Sequence, residues 1–324
     1  MLSRREILIG TAAAGASALV PCGTPASAKA AQPSTPVNFD VPANACDCHT
    51  HIFGDPVRFP FAVARVYTPE QASVAEHRAL HRALHTTRVV IVHPSVYGTD
   101  NSCSLDGMKQ LGPIARGIAV IDDRTTEAAL DEMNRAGMRG IRINLETSGQ
   151  TDPAVARQSF LTAVARIKNR PTWHIQIYTR LSMIEAINDL VMAAPMPVVF
   201  DHFGGAQGPL GVEQPGFPTL VSLVRAGKAY VKISAPYRSS TLLPDYADVA
   251  PLARALISAN PQRIVWGSDW PHPGAPVAHR PITEITPLWQ VDDGRIFNQL
   301  PVWAPDPAVR KMILVDNPAK LYGY

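Results

Sequence analysis

Asp47-Cys48-His49-Thr50-His51-Ile52-Phe53 is the stretch on which the reading of this 324-residue chain turns. Upstream, Pro42-Ala43-Asn44-Ala45-Cys46 reads as a loop entering a short apolar strand. His49 and His51 are two apart, so on a strand both side chains leave the same face. Two imidazoles at one strand end can grip a metal ion or an anionic substrate. A counterpart stands near the other end of the chain, in Val265-Trp266-Gly267-Ser268-Asp269-Trp270-Pro271-His272-Pro273. There a strand runs out into a lone Asp, fit to serve as ligand or base.

Between these two points, strand-like and helix-like segments alternate. The expected strands are Ala45–His49, Arg88–His93, Gly117–Ile121, Gly140–Asn144, Trp173–Tyr178, Val198–Asp201, Ala229–Ser234 and Arg263–Asp269. Each is short, rich in Val and Ile, and bounded by Pro, Gly or charge. Apolar residues at three-and-four spacing predict helices over Ala128–Ala136, Ala154–Lys168 and Leu181–Ala193. Asp152-Pro153 supplies an N-cap and a first helical residue for the second of them. Eight strands separated by helices predict an α/β fold, a single (β/α)8 TIM-type barrel over 45–324. Such a barrel needs about 250 residues, which the chain supplies with some to spare. An open doubly wound sheet is the alternative, but no G-x-G-x-x-G follows the first strand. No internal repeat or second domain is visible.

Apolar content of 46% is enough for a large core. A net charge of +3 without a polybasic run argues against nucleic acid or a membrane surface as partner. Residues 1–28 read as a twin-arginine export signal. Arg4-Arg5 precedes a mild apolar run, Ile7 to Val20, and Ala26-Ser27-Ala28 offers a cleavage site. A periplasmic location is therefore expected, with 29–44 as a linker into the barrel. Cys22 leaves with the signal. Cys46, Cys48 and Cys103 remain, and Cys46 and Cys48 are expected as buried thiols packed under the site.

In a barrel of this kind the chemistry gathers where the strands end. Those ends are polar throughout. The first gives His49 and His51, the second His93-Pro94-Ser95, the fourth Arg142 and Asn144. The fifth gives His174, Gln176 and Tyr178, and the sixth Asp201 and His202. The seventh gives Lys232 and Ser234, then Tyr237 and Arg238, and the eighth Asp269 with His272 beyond. Burying so many polar groups is costly unless they serve one site. His77, His81, His85 and His279 lie in helical or loop stretches and are expected at the surface.

These residues resemble the amidohydrolase superfamily, and within it the branch of pyrone-dicarboxylate lactonases and 4-sulfomuconolactone hydrolases. The resemblance runs from about Asn44 to Tyr322. It rests on Asp47 to Gly54, Gly98-Thr99-Asp100-Asn101, Met138-Arg139-Gly140-Ile141-Arg142, Asp201-His202, Trp266 to Pro273 and Asn317-Pro318-Ala319-Lys320-Leu321-Tyr322. It implies hydrolysis of a small anionic lactone from aromatic-compound degradation. By resemblance Asp269 activates water, while His49, His51 and His202 surround the lactone carbonyl. Arg142, Arg238 and Tyr67 hold the substrate's acidic groups, and Tyr178, Ser95 and Ser148 complete the binding wall.

One departure bears on substrate. In the pyrone lactonases a second Arg lies six residues after the strand-four Arg, and here that position is Ser148. The second acidic group must therefore differ in kind or place, which favours a 4-sulfomuconolactone-type substrate over a pyrone dicarboxylate. A sugar-acid lactone isomerase is another relative of this scaffold. The other departure bears on metal. Metal-bearing relatives place a His where Tyr178 stands, so two states stay open. One is a zinc ion on His49, His51, His202 and Asp269 with water completing the shell; the other is a metal-free site. No G-x-S-x-G is present, which leaves a serine-hydrolase route without support. A metal-dependent decarboxylase and a non-catalytic periplasmic binding protein are the remaining classes, and assembly into a homo-oligomer is left open.

Overall fold

The computed structural model describes residues 30–274 and 281–324. The export signal, Cys22 and His279 lie outside the described residues. Eight parallel strands form one sheet in chain order: β1 (Cys46–Thr50), β2 (Arg88–Val92), β3 (Ala115–Ala119), β4 (Met138–Asn144), β5 (His174–Tyr178), β6 (Val198–Phe200), β7 (Ala229–Ser234) and β8 (Ile264–Gly267). These are the eight expected strands, displaced by two residues or fewer at every end. The sheet closes on itself between first and last. Asp269 N donates to His49 O at 2.8 Å and His51 N to Trp270 O at 2.8 Å, with a parallel bridge from Thr50 to Trp270.

Both faces of these strands are covered, so they read as continuous Val and Ile runs rather than alternating patterns. One set of side chains packs outward under the helices. A smaller inner set, Cys46, Cys48, Val90, Val92, Ile118, Val199, Tyr230 and Val265, fills the lower barrel, where Leu321 and Tyr322 join it. Tyr324 adds a hydroxyl that donates to Val89 O at 2.6 Å. Cys46 and Cys48 are free and buried, in the lower layer where the sequence puts them. β1 carries a register shift between Asp47 and Thr50.

The helices begin at recognisable caps. Thr126 accepts from Ala129 N ahead of Glu127–Arg135, and Asp152 accepts from Ala154 N ahead of Pro153–Ile167. The expected helix over Leu181–Ala193 is two helices, Leu181–Ala186 and Asn188–Ala193, broken at Ile187. Asn188 and Asp189 favour a fresh helix start. Arg157 from the preceding helix grips Asp189 at 2.6 and 2.8 Å. Residues 30–44 hold no helix or strand but are anchored. Asp292 binds the Ser34 and Thr35 hydroxyls at 2.6 Å each, and Trp270 Nε1 donates to Ala31 O at 2.9 Å.

Two surface expectations are corrected. His77 and His81 are buried on the inner face of Val74–Leu84, because the apolar stripe of that helix includes their positions. His77 meets Trp270 edge-on, with ring centroids 5.3 Å apart. His85 is exposed, as expected, and ends that helix in a left-handed conformation.

Candidate active site

A cavity of about 180 Å3 opens above the strand ends. His51, His202 and Asp269 line it together with Tyr67, Ser95, Arg142, Tyr178 and Arg238. His49 lies just beneath, fully buried. Seven strands supply these groups at their ends or in the turns that follow, and Tyr67 comes from the long loop after the first. Several adopt backbone that ordinary residues avoid: Asp269 has φ +66°, His202 φ +49° and His272 φ +62°. Left-handed backbone costs roughly 1–2 kcal/mol per residue, so the packing around these turns must hold it.

Asp269 is the centre of the arrangement. Its Oδ2 accepts from Tyr237 Oη at 2.7 Å and Arg238 Nε at 2.8 Å. Its Oδ1 is buried and has no hydrogen-bond partner among the described residues. Three imidazole nitrogens face that oxygen: His51 Nε2 at 3.3 Å, His49 Nε2 at 3.4 Å and His202 Nε2 at 3.8 Å. Burial opposes ionisation of Asp269. Arg238, then His202, overcome it and hold the carboxyl well below the usual range. Tyr237 has one hydroxyl proton and gives it to Asp269. His272 Nδ1, 3.2 Å from that hydroxyl, is then the donor in its contact. His272 Nε2 lies 2.9 Å from Asp293 Oδ2, which extends the chain of buried polar groups outward.

The far nitrogen of each imidazole is anchored. His51 Nδ1 lies 2.8 Å from Val92 O, a pure acceptor, so Nδ1 carries the proton and Nε2 a lone pair. That lone pair opposes the Asp269 carboxylate, and either a second proton or a cation between them resolves the opposition. His202 Nδ1 lies 2.8 Å from Ser234 Oγ. His49 Nδ1 stands between Asp201 Oδ1 and Lys232 Nζ, each 3.3 Å away. A proton on Nδ1 faces Asp201 and bares Nε2; with the proton on Nε2 instead, Nδ1 accepts from Lys232 and the Nε2–H points at Asp269. Burial, then Lys232, keep His49 well below its ordinary pKa. Burial lowers His202 to about 4 despite Asp269 and Asp201.

Anchored imidazoles with convergent Nε2 atoms, and a carboxylate oxygen without a partner, are donors of the kind that hold a metal ion. The ligand atoms of His49, His51 and Asp269, and those of His49, Asp201 and His202, lie within 4.8 Å of one another. The site is compatible with a metal, with Asp201 as a donor the sequence did not single out.

Arg142 and Arg238 flank the cavity already paired. Arg142 donates through Nε and Nη2 to Asp201 Oδ2 at 3.3 and 3.2 Å. Arg238 adds a bond to Pro273 O at 3.0 Å. Nη1 of each makes no hydrogen bond among the described residues, which leaves a donor for an arriving anion. Beneath, Lys232 and Gln176 complete the packing around Asp201, with Lys232 Nζ 2.7 Å from Gln176 Oε1 and Gln176 Nε2 3.0 Å from Asp201 Oδ2. Burial pushes the Tyr67 hydroxyl up to about 12, so it remains a donor.

Ser148 does not reach this cavity. Its hydroxyl donates to Leu145 O at 3.0 Å, and the turn closed by Gly149 N to Glu146 O presents Glu146 and Thr147 to the lining instead. Their place depends on how one turn folds back, which residue spacing does not record. Tyr237, Lys232 and Gln176 were visible as polar strand ends, but their partners were not.

With this geometry in hand, the comparisons are specific. The profile of a family described as amidohydrolase matches residues 46–324. A 4-sulfomuconolactone hydrolase of Hydrogenophaga intermedia is 34% identical, covering 89% of this chain and 91% of its own. A 2-pyrone-4,6-dicarboxylate hydrolase of Comamonas testosteroni is also 34% identical, covering 90% and 94%. A solved structure from Pseudomonas putida, 29% identical, superposes with a TM-score of 0.71 over 87% of this chain and 98% of that one.

Proposed function

The chain belongs to the amidohydrolase family, and from that premise we propose that it hydrolyses a small anionic lactone of aromatic-compound degradation, of 4-sulfomuconolactone type. One observation carries the reading. Asp269 Oδ1, ionised and without a hydrogen-bond partner among the described residues, stands at the floor of a small cavity flanked by two arginines. The relatives named for lactone hydrolysis support it along nearly their whole length.

The chemistry follows from the residues. Arg142 and Arg238 orient the substrate's acidic groups through their free Nη1 donors. Asp269 Oδ1 accepts a proton from water as the water oxygen bonds to the lactone carbonyl carbon. Arg238 and Tyr237 hold Oδ2, so the base keeps its aim. Imidazole and guanidinium N–H groups balance the developing oxyanion. The ring C–O bond then breaks, and the proton on Asp269 passes to the leaving oxygen. Zinc on His49, His51, His202 and Asp269 would supply Lewis-acid polarisation of the carbonyl.

The test is proton release by the purified chain, with its metal content measured, on 4-sulfomuconolactone and 2-pyrone-4,6-dicarboxylate. Opening of the sulfonated lactone in preference is the expected result. Opening of neither overturns the reading. Export to the periplasm is part of the same proposal and rests on Arg4-Arg5 and Ala26-Ser27-Ala28. Cleavage after Ala28 would leave the buried Ala30 and Ala31 on the mature chain. A native N-terminus at Met1 in a cytoplasmic fraction would end that part.

A further inference from the structure

A second cavity, of about 300 Å3, adjoins the first and shares Glu146, Tyr178, His202 and Arg238 with it. Its own wall adds Arg180, Gln207 and Ser239. We propose that Arg180 anchors a second acidic group of the substrate, and that Glu146 is the counter-ion it releases on binding. The proposal rests on the lactone reading above and deepens it.

The argument is one of comparative cost. The three arginines at these two cavities each hold a carboxylate. Arg142 with Asp201 and Arg238 with Asp269 are buried pairs, side chains 5% and 0% exposed in the first and 17% and 1% in the second. Breaking such a pair strands a buried charge without its counter-ion, which is strongly unfavourable. Arg180 donates to Glu146 through Nε at 3.0 Å and Nη2 at 2.8 Å, but these side chains are 41% and 32% exposed. A pair in that setting is screened by water and holds far less tightly than the two buried pairs. Arg180 is therefore the arginine that can exchange its partner, and Glu146 can turn to water. Left unpaired, Glu146 is a negative charge on the wall of an anion site, so the pair also keeps that wall neutral until an anion arrives.

Arg180 is also firmly placed. A Cβ on Gly205 would fall 2.6 Å from Thr179 O and 2.9 Å from Arg180 Cα. The turn carrying His202 thus lies directly on the Arg180 backbone, and Gly205, at φ +78°, is what permits the approach. The same turn positions His202 for chemistry and Arg180 for recognition.

Binding tests this without turnover. Calorimetry with benzene-1,3-dicarboxylate and with benzoate compares a dianion and a monoanion of similar size. Arg180→Gln should weaken the dicarboxylate by about tenfold or more and change benzoate little. Glu146→Gln should tighten the dicarboxylate, since a competing carboxylate is gone, and Arg180→Lys should fall between wild type and Arg180→Gln. A merely structural ion pair would lose binding in both variants. Parallel weakening of both ligands, or weaker dicarboxylate binding in Glu146→Gln, overturns the proposal. In turnover the Arg180→Gln effect should lie in KM rather than kcat. Failure of wild type to open any lactone would count against the lactone reading alone, because the binding comparison stands without it.

Discussion

Asp269 gathers the polar contacts of the site on one carboxylate with two unlike oxygens. Oδ2 is tied to Tyr237 and Arg238, and Oδ1 faces the imidazoles unbonded. Asp269→Asn keeps the shape and most of the bonding while removing the proton acceptor. Its kcat should fall by a factor on the order of 10² or more, with an unchanged circular dichroism spectrum. Near-full turnover would remove Asp269 from the role. This residue and its histidines were legible because they need little context: a spacing of two on a strand and an Asp where a strand runs out. Glu146 and Thr147 were not legible. Ser148 occupies the position that the resemblance singles out, yet its hydroxyl satisfies its own turn. Asp201 was read as the residue before His202, and only the closed barrel shows it meeting Arg142 and lying within 3.5 Å of both His49 and Lys232.

The elements were largely legible, because Val and Ile runs bounded by Pro and Gly leave few alternatives to buried strands. What escaped were departures within an element. The register shift in β1 is set by pairing with β2 rather than by composition, yet it lets one strand carry thiols below and imidazoles above. The helix Val74–Leu84 shows the reverse, polar residues on an inner face. His77 is fully buried with neither ring nitrogen hydrogen-bonded among the described residues. Burial, then His81, hold it well below its ordinary value of 6.5. The folded protein thus resists a proton that the unfolded chain accepts, and stability is lost as pH falls below about 6.5. His77→Leu removes that term. Its stability advantage in denaturant titrations should widen by up to about 1.4 kcal/mol per pH unit between pH 6.5 and 5. A constant gap would show that His77 does not titrate in this way.

At the scale of the whole molecule, the seam of the barrel and the site are the same bonds. Asp269 N to His49 O and His51 N to Trp270 O join residues some two hundred positions apart, and three of the four, His49, His51 and Asp269, meet at the candidate site. Closing so long a loop carries an entropic cost that the contacts of the seam must offset. The machinery is accordingly divided along the chain. The exposed turn at Gly149, where a side chain would meet open space, splits it evenly. A cut there leaves His49, His51 and Arg142 on one piece and His202, Arg238 and Asp269 on the other. Neither piece alone should open a lactone, while co-expressed pieces should recover measurable turnover; activity in either half by itself would contradict the division of labour. A lactonase built this way is a natural two-part reporter, silent in each half and audible only when something brings the halves together.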